Sequence, residues 1–227
     1  MRISLPVTAN PLSENMKEFA MTMESSSGIS RTVEKTRTPK PRKSEPYAGE
    51  RQWFTEAEIE KLMTTARKHG RYGHRDALMV LLAYVHGLRA SELVRLQWSD
   101  IDWERGLIHC RRVKNGTNTD HPLTGRELRG LRKLKNEQKP VSRYIFMTER
   151  GHPFTPDGFY KLMVRLGERA KIAATRPHRL RHSCGFKLAN DGRDTRAIQF
   201  YLGHSDIRST CRYTDIVASR FDGFFED

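Results

Sequence analysis

Several short stretches of this chain combine residue types that can hold an anion and move a proton. Pro177-His178-Arg179-Leu180-Arg181-His182 places His178 and Arg181 three residues apart. On a helix they share a face and could reach one anion, and Pro177 suits the first turn of such a helix. About twenty residues later, Tyr201-Leu202-Gly203-His204 reads as a helix end with a histidine just past a glycine. Tyr213 follows nine residues beyond, in Cys211-Arg212-Tyr213-Thr214. Upstream, His86-Gly87-Leu88-Arg89-Ala90-Ser91-Glu92-Leu93 puts Arg89 in the turn after a strongly apolar segment. A guanidinium fixed at such a junction matches phosphate oxygens through paired hydrogen bonds, which a flexible ammonium cannot do as well. Lys114, at the tip of an expected hairpin, supplies a mobile ammonium suited to donating a proton.

Each residue has a plainer reading when taken alone. Arg89 could cap the preceding helix or pair with Glu92, because a cation is favourable at a helix C-terminus. Tyr213 could be a half-buried aromatic with a bonded hydroxyl, and Lys114 beside Asn115-Gly116 a solvated turn residue. His178 and His182 are four apart, but without a His-Glu-x-x-His pattern or a third acidic ligand they do not make a metal site. We expect His182 to be packed or to support the site, and we expect no metal and no cofactor.

The elements that must position these residues follow from the periodicity. Thr55 with Glu58 forms a capping box, and Ile59, Leu62, Met63 and Ala66 recur at helical spacing behind it. A strongly apolar helix is expected from about 74 to 86 and stops at Gly87. A short helical turn containing Leu93, Val94 and Leu96 follows. Residues 106–123 alternate around Lys114-Asn115-Gly116-Thr117, the signature of two antiparallel strands joined at Asn-Gly. Further helices are expected at about 125–137, 156–173, 178–191 and 194–202, with a short strand around 144–147. The fold class is therefore α+β: mainly helical, with one small antiparallel sheet.

Composition narrows the partner. The chain has 227 residues, 41 Lys plus Arg against 27 Asp plus Glu, and a net charge of +14. Such a balance points to a polyanion, most simply nucleic acid. Residues 1–49 are rich in Ser, Thr, Pro and basic residues and read as a disordered basic arm. They hold eight basic and five acidic side chains, which leaves +11 on residues 50–227, expected to form one domain. No stretch approaches the roughly 18 apolar residues a membrane helix needs. Cys110, Cys184 and Cys211 have no C-x-x-C spacing, so neither a disulfide framework nor a cysteine zinc site is expected. A soluble protein of the cytoplasm fits these features, with no membrane and no small-molecule substrate.

Taken together and in order, Arg89 in its His-Gly-Leu-Arg-Ala-Ser-Glu-Leu setting, Lys114, His178-x-x-Arg181, Leu202-Gly203-His204 and Tyr213 resemble the tyrosine recombinases, the phage integrase family. The resemblance covers residues from about 50 to 220 and is strongest to the short recombinases that invert fimbrial promoter switches. It implies a mainly helical catalytic domain over 50–227 that acts on double-stranded DNA. In this scheme Tyr213 attacks a backbone phosphorus, leaving a 3′-phosphotyrosine and a free 5′-hydroxyl. Arg89 and Arg181 hold the non-bridging oxygens, with His204 donating another hydrogen bond. His178 is the candidate base for Tyr213, and Lys114 the candidate acid for the leaving oxygen. The family works as a homotetramer on paired sites.

Two departures from longer integrases bear on this expectation. Forty-nine arm residues cannot supply an N-terminal DNA-clamping domain, and 14 residues after Tyr213 leave only a short tail. Ile216, Val217, Phe221, Phe224 and Phe225 in that tail would pack either on their own domain or on a neighbouring protomer. The alternatives are a type IB topoisomerase-like relaxing activity with the same chemistry, and a non-catalytic DNA-binding regulator on the same fold.

Overall fold

The structure, a computed structural model, describes residues 51–113, 116–139 and 142–214. The expected basic arm, Lys114 and the apolar tail lie outside the described residues. Thr55 opens the first helix, α1 (Glu56–His69), through the expected capping box: its side chain accepts from the Glu58 backbone while Glu58 reaches back to Thr55. Ile59, Leu62, Met63 and Ala66 turn inward from it. The apolar helix α2 (Gly73–Val85) buries every residue from Asp76 to Ala83 and ends before Gly87, whose φ of +57° is open to glycine at little cost. Helix α2 packs against α1.

The chain then forms α3 (Ala90–Leu93), a 3-10 turn at Trp98–Asp100, and an antiparallel sheet of β1 (Ile101–Asp102), β2 (Leu107–Cys110) and β3 (Thr119–Pro122) in the order β1-β2-β3. The expected hairpin is β2–β3, paired from Leu107 with Pro122 to Cys110 with Thr119. The strand β1 is an addition that two residues of pattern could not announce. Helices α4 (Gly125–Glu137), α5 (Pro156–Ala170), α6 (Pro177–Asn190) and α7 (Thr195–Leu202) lie close to their expected positions. Around 144–147 there is no strand: Tyr144 and Met147 each make one isolated bridge, to Gln97 and Pro153.

The last described helix, α8 (Arg208–Thr214), carries Tyr213 and has no counterpart in the periodicity. Seven residues with two apolar positions show no stripe, and α8 is held by packing on α6 and α7. The main apolar core lies among α1, α2, α4, α5 and the sheet. A smaller cluster of Cys184, Ala189, Ile198, Leu202 and Tyr213 sits where α6, α7 and α8 meet.

Candidate active site

The site begins with the turn after α2. Glu92 is buried, and its carboxylate accepts from the Arg89 backbone N–H (3.0 Å), from Arg89 Nη1 (2.7 Å), from Arg112 Nη1 (3.0 Å) and from the Val113 N–H (3.2 Å). Arg181 Nη1 stands 4.0 Å away. Burial pushes the Glu92 carboxyl up, but the Arg89 hydrogen bonds and the Arg112 charge outweigh it, so Glu92 is held below the usual carboxylate range. Three guanidiniums thus share one carboxylate, which leaves the cluster with two uncompensated positive charges. The pairing of Arg89 with Glu92 is the plain reading of that arginine, and it holds. With its side chain 25% exposed, Arg89 is still open to solvent on one side.

Arg181 is almost wholly buried, at 1% exposure, on α6. Its Nη1 donates to the Gly87 carbonyl (2.6 Å) and its Nη2 to the Leu202 carbonyl (2.7 Å), tying the turn before Arg89 to the turn before His204. Burial, then the neighbouring Arg89 and Arg112, lower its pKa to about 10, so it remains charged at neutral pH. His178, three residues earlier, is exposed. Its ring stands edge-on to His182, with centroids 4.4 Å apart.

Tyr213 is 6% exposed, with the His182 and His204 rings 5.7 and 6.2 Å from its own. The aromatic ring lies directly on Gly185 of α6, where a Cβ would come within 2.5 Å of it. Its hydroxyl meets His182 Nδ1 at 3.0 Å. Sequence reasoning named His178 as the base and gave His182 a supporting place, whereas the geometry brings His182 to the phenol. The only available signal was the helical offset of the two histidines. Burial, then His178 and the nearby arginines, push His182 down to about 3, so it is neutral at pH 7 and its Nδ1 can accept a hydrogen bond from the phenol. Burial raises the Tyr213 phenol, against the pull of Arg181 and Arg212, so it is protonated in this state.

His204 follows the left-handed Gly203 (φ +63°) that ends α7. Burial, then Arg181 and Arg89, push it down to about 3. Its Nδ1 lies 2.9 Å from the Thr210 hydroxyl. If that hydroxyl donates, the neutral ring carries its proton on Nε2, ready to donate.

Beneath this layer runs a buried polar chain that sequence reasoning missed. Glu127 Oε1 lies 2.8 Å from His86 Nε2, His86 Nδ1 lies 3.2 Å from His121 Nδ1, and His121 Nε2 lies 2.8 Å from Thr119 Oγ1. Burial pushes His121 down to about 3, so it is neutral. Hydrogen bonds from His86 and Thr124 outweigh burial and lower Glu127. One direction of donation fits an ionised Glu127: Thr119 to His121, His121 to His86, His86 to Glu127. His86, Cys110 and His121 are the one group among the described residues with metal-ligand types close together. His86 Nδ1 and both ring nitrogens of His121 are already engaged in hydrogen bonds.

The arrangement can be compared with known proteins. The model of the phage integrase family matches residues 52–220. The chain belongs to the phage integrase family. The type 1 fimbriae regulatory protein FimB of Escherichia coli strain K12 is 40% identical over 181 residues, covering 78% of this chain and 90% of FimB. FimE of the same strain is 41% identical over 182 residues, covering 78% and 91%. The tyrosine recombinase XerA of Thermococcus onnurineus is 35% identical over 192 residues, covering 83% of this chain and 65% of XerA. Among solved structures, a XerA recombinase superposes with a TM-score of 0.64 at 26% identity over 74% of this chain and 61% of that one. XerH bound to its difH substrate superposes with a TM-score of 0.65 at 22% identity, over 75% and 52%, a likeness of fold. By family this phage integrase homologue is a tyrosine-type site-specific recombinase, and its fold is the mainly helical catalytic domain expected from sequence. Among the described residues no helix is long and apolar enough to cross a membrane.

Proposed function

We propose that this tyrosine recombinase cleaves and rejoins double-stranded DNA through Tyr213. The observation that carries the reading is the placing of the Tyr213 hydroxyl against a neutral histidine, on a platform where Arg181, Arg89 and His204 converge. In the forward step the phenol oxygen bonds to a backbone phosphorus and its proton passes to the His178–His182 pair, of which His182 is in contact. The bond from phosphorus to the 5′-oxygen breaks, and that oxygen takes a proton from Lys114. The charge that develops on the non-bridging oxygens is held by Arg89, Arg181 and the Nε2–H of His204. Loss of one such donor costs about 3 to 4 kcal/mol of barrier. Rejoining is the reverse with a new 5′-hydroxyl; the phosphodiester energy is kept in the phosphotyrosine, so no nucleotide hydrolysis is needed.

The substrate side follows from charge. Most of the +11 on residues 50–227 is outside the chemistry and serves the DNA backbone, so log K should fall with log salt by about 0.9 per phosphate neutralised. Strand exchange between two duplexes requires four active sites, and we propose a homotetramer on paired sites. XerH and the Tn1549 transposon integrase, which share the fold, were solved with DNA. Incubation with a nicked suicide duplex tests the reading. An SDS-stable protein–DNA adduct is expected with the native protein and none with Tyr213→Phe, at equal DNA binding. An adduct that survives Tyr213→Phe removes the nucleophile assignment.

A further inference from the structure

Arg112 follows β2, and its side chain is completely buried, so it does not touch a bound phosphate. It nevertheless joins two of the segments on which the proposed phosphate ligands sit, the turn of Arg89 and the turn of His204. Nη1 donates to Glu92 Oε2 at 3.0 Å, and Glu92 in turn holds both the backbone and the guanidinium of Arg89. Nη2 donates to the His86 carbonyl at 3.1 Å, where the turn toward Arg89 begins, and to the Tyr201 carbonyl, where the turn toward His204 begins. The aliphatic stem is used as well. A Cβ on Gly203 would come within 2.6 Å of Arg112 Cγ, and one on Gly116 within 2.8 Å of Arg112 Cβ and 2.7 Å of the Gly203 carbonyl oxygen. The backbone of the His204 turn and the far side of the β2–β3 turn therefore rest on the same side chain. Asn118 closes that turn by accepting from the Arg112 N–H at 2.8 Å.

We propose that Arg112 is a positioning residue: through Glu92 and the His86 and Tyr201 carbonyls it sets Arg89 and the His204 turn at the spacing that one phosphate requires. This rests on the reading of Arg89 as a phosphate ligand. A lysine at 112 keeps a cation beside Glu92 but cannot reach the carboxylate and two carbonyls in one plane, because it lacks the guanidinium fork. Arg112→Gln removes the charge too.

Two duplexes, differing only at the scissile phosphate, test the proposal. One has an ordinary phosphodiester; in the other a methylphosphonate replaces one non-bridging oxygen by a methyl group. The transition state on the second carries one negative charge less, so it depends on one cation fewer. The ratio of strand-cleavage rates, methylphosphonate over phosphodiester, is measured within one preparation so that the folded fraction cancels. Relative to the native protein, Arg89→Ala should raise this ratio about 10²-fold or more. Arg112→Lys should raise it about tenfold and Arg112→Gln further. Equal losses on both substrates in the Arg112 variants, beside a raised ratio in Arg89→Ala, overturn the positioning role alone. A ratio unchanged in Arg89→Ala overturns the assignment of Arg89 and the proposal with it.

Discussion

The core between α1, α2 and α5 and the platform under Tyr213 are both buried, and they are built from opposite materials. In the core Leu62, Met79, Leu82, Phe159 and Met163 meet without a polar atom. On the platform Glu92, Arg112, Arg181, His86, His121 and Glu127 are just as deeply enclosed. Apolar burial is non-directional, and one side chain can be exchanged for another of similar volume at modest cost. A buried charge is stable only with its partners in place, so each platform residue fixes the position of the next. The difference suits the platform to the proposed role of Arg89 and Arg181: two uncompensated positive charges are held there at fixed spacing, Arg181 buried and Arg89 open to solvent on one side.

The contrast predicts a separation of activity from stability. Arg89→Met should lower the rate of adduct formation by about 10² to 10³. Glu92 keeps Arg112 and the Val113 N–H in that variant, and Arg89 is part-exposed, so unfolding by denaturant should change far less. Leu62→Ala should do the opposite, costing about 2 to 5 kcal/mol of stability while the rate per folded molecule is kept. Equal effects of the two substitutions on both measurements would erase the distinction.

Gly185→Ala probes the seam between the regions. Its methyl group would overlap the Tyr213 ring. Overpacking of this kind costs about 1 to 3 kcal/mol, and the displaced tyrosine should form adduct more slowly at unchanged DNA affinity. An adduct rate equal to that of the native protein would show that the ring does not need this seat.

Acid should act on the platform first. His121, His182 and His204 are held near 3 in the folded protein, against 6.5 for an ordinary histidine. The unfolded chain takes up protons first, so their contribution is complete above about pH 6.5 and is lost as pH falls toward 3. Denaturant midpoints at pH 7.5, 6 and 5 should decline in that order, and less steeply in His121→Gln. The smallest effect belongs to the rim of the core: Thr55→Ala removes the α1 cap for about 1 kcal/mol with no change in adduct formation.

Much of the frame was legible because its signals are local. The Thr55–Glu58 box, the stripe of Ile59, Leu62, Met63 and Ala66, Pro177 at the start of α6 and Gly203 at the end of α7 each lie within a few residues of what they control. The order of Arg89, His178, Arg181, His204 and Tyr213 was equally plain. Three features were hidden: the short helix that carries Tyr213, the contact of its hydroxyl with His182, and the platform itself. Glu92 was legible only as a possible partner of Arg89, and nothing local marked Arg112, His121 or Glu127.

By itself, then, the sequence determined which residue types are available and the helices that carry most of them, because periodicity and caps act over a few residues. The tertiary structure decided which histidine meets the tyrosine and which arginines are buried as supports. Arg112 reaches carbonyls 26 and 89 residues away, and His86 pairs with a histidine 35 residues on. Such bonds depend on where whole elements pack, and no local pattern records that.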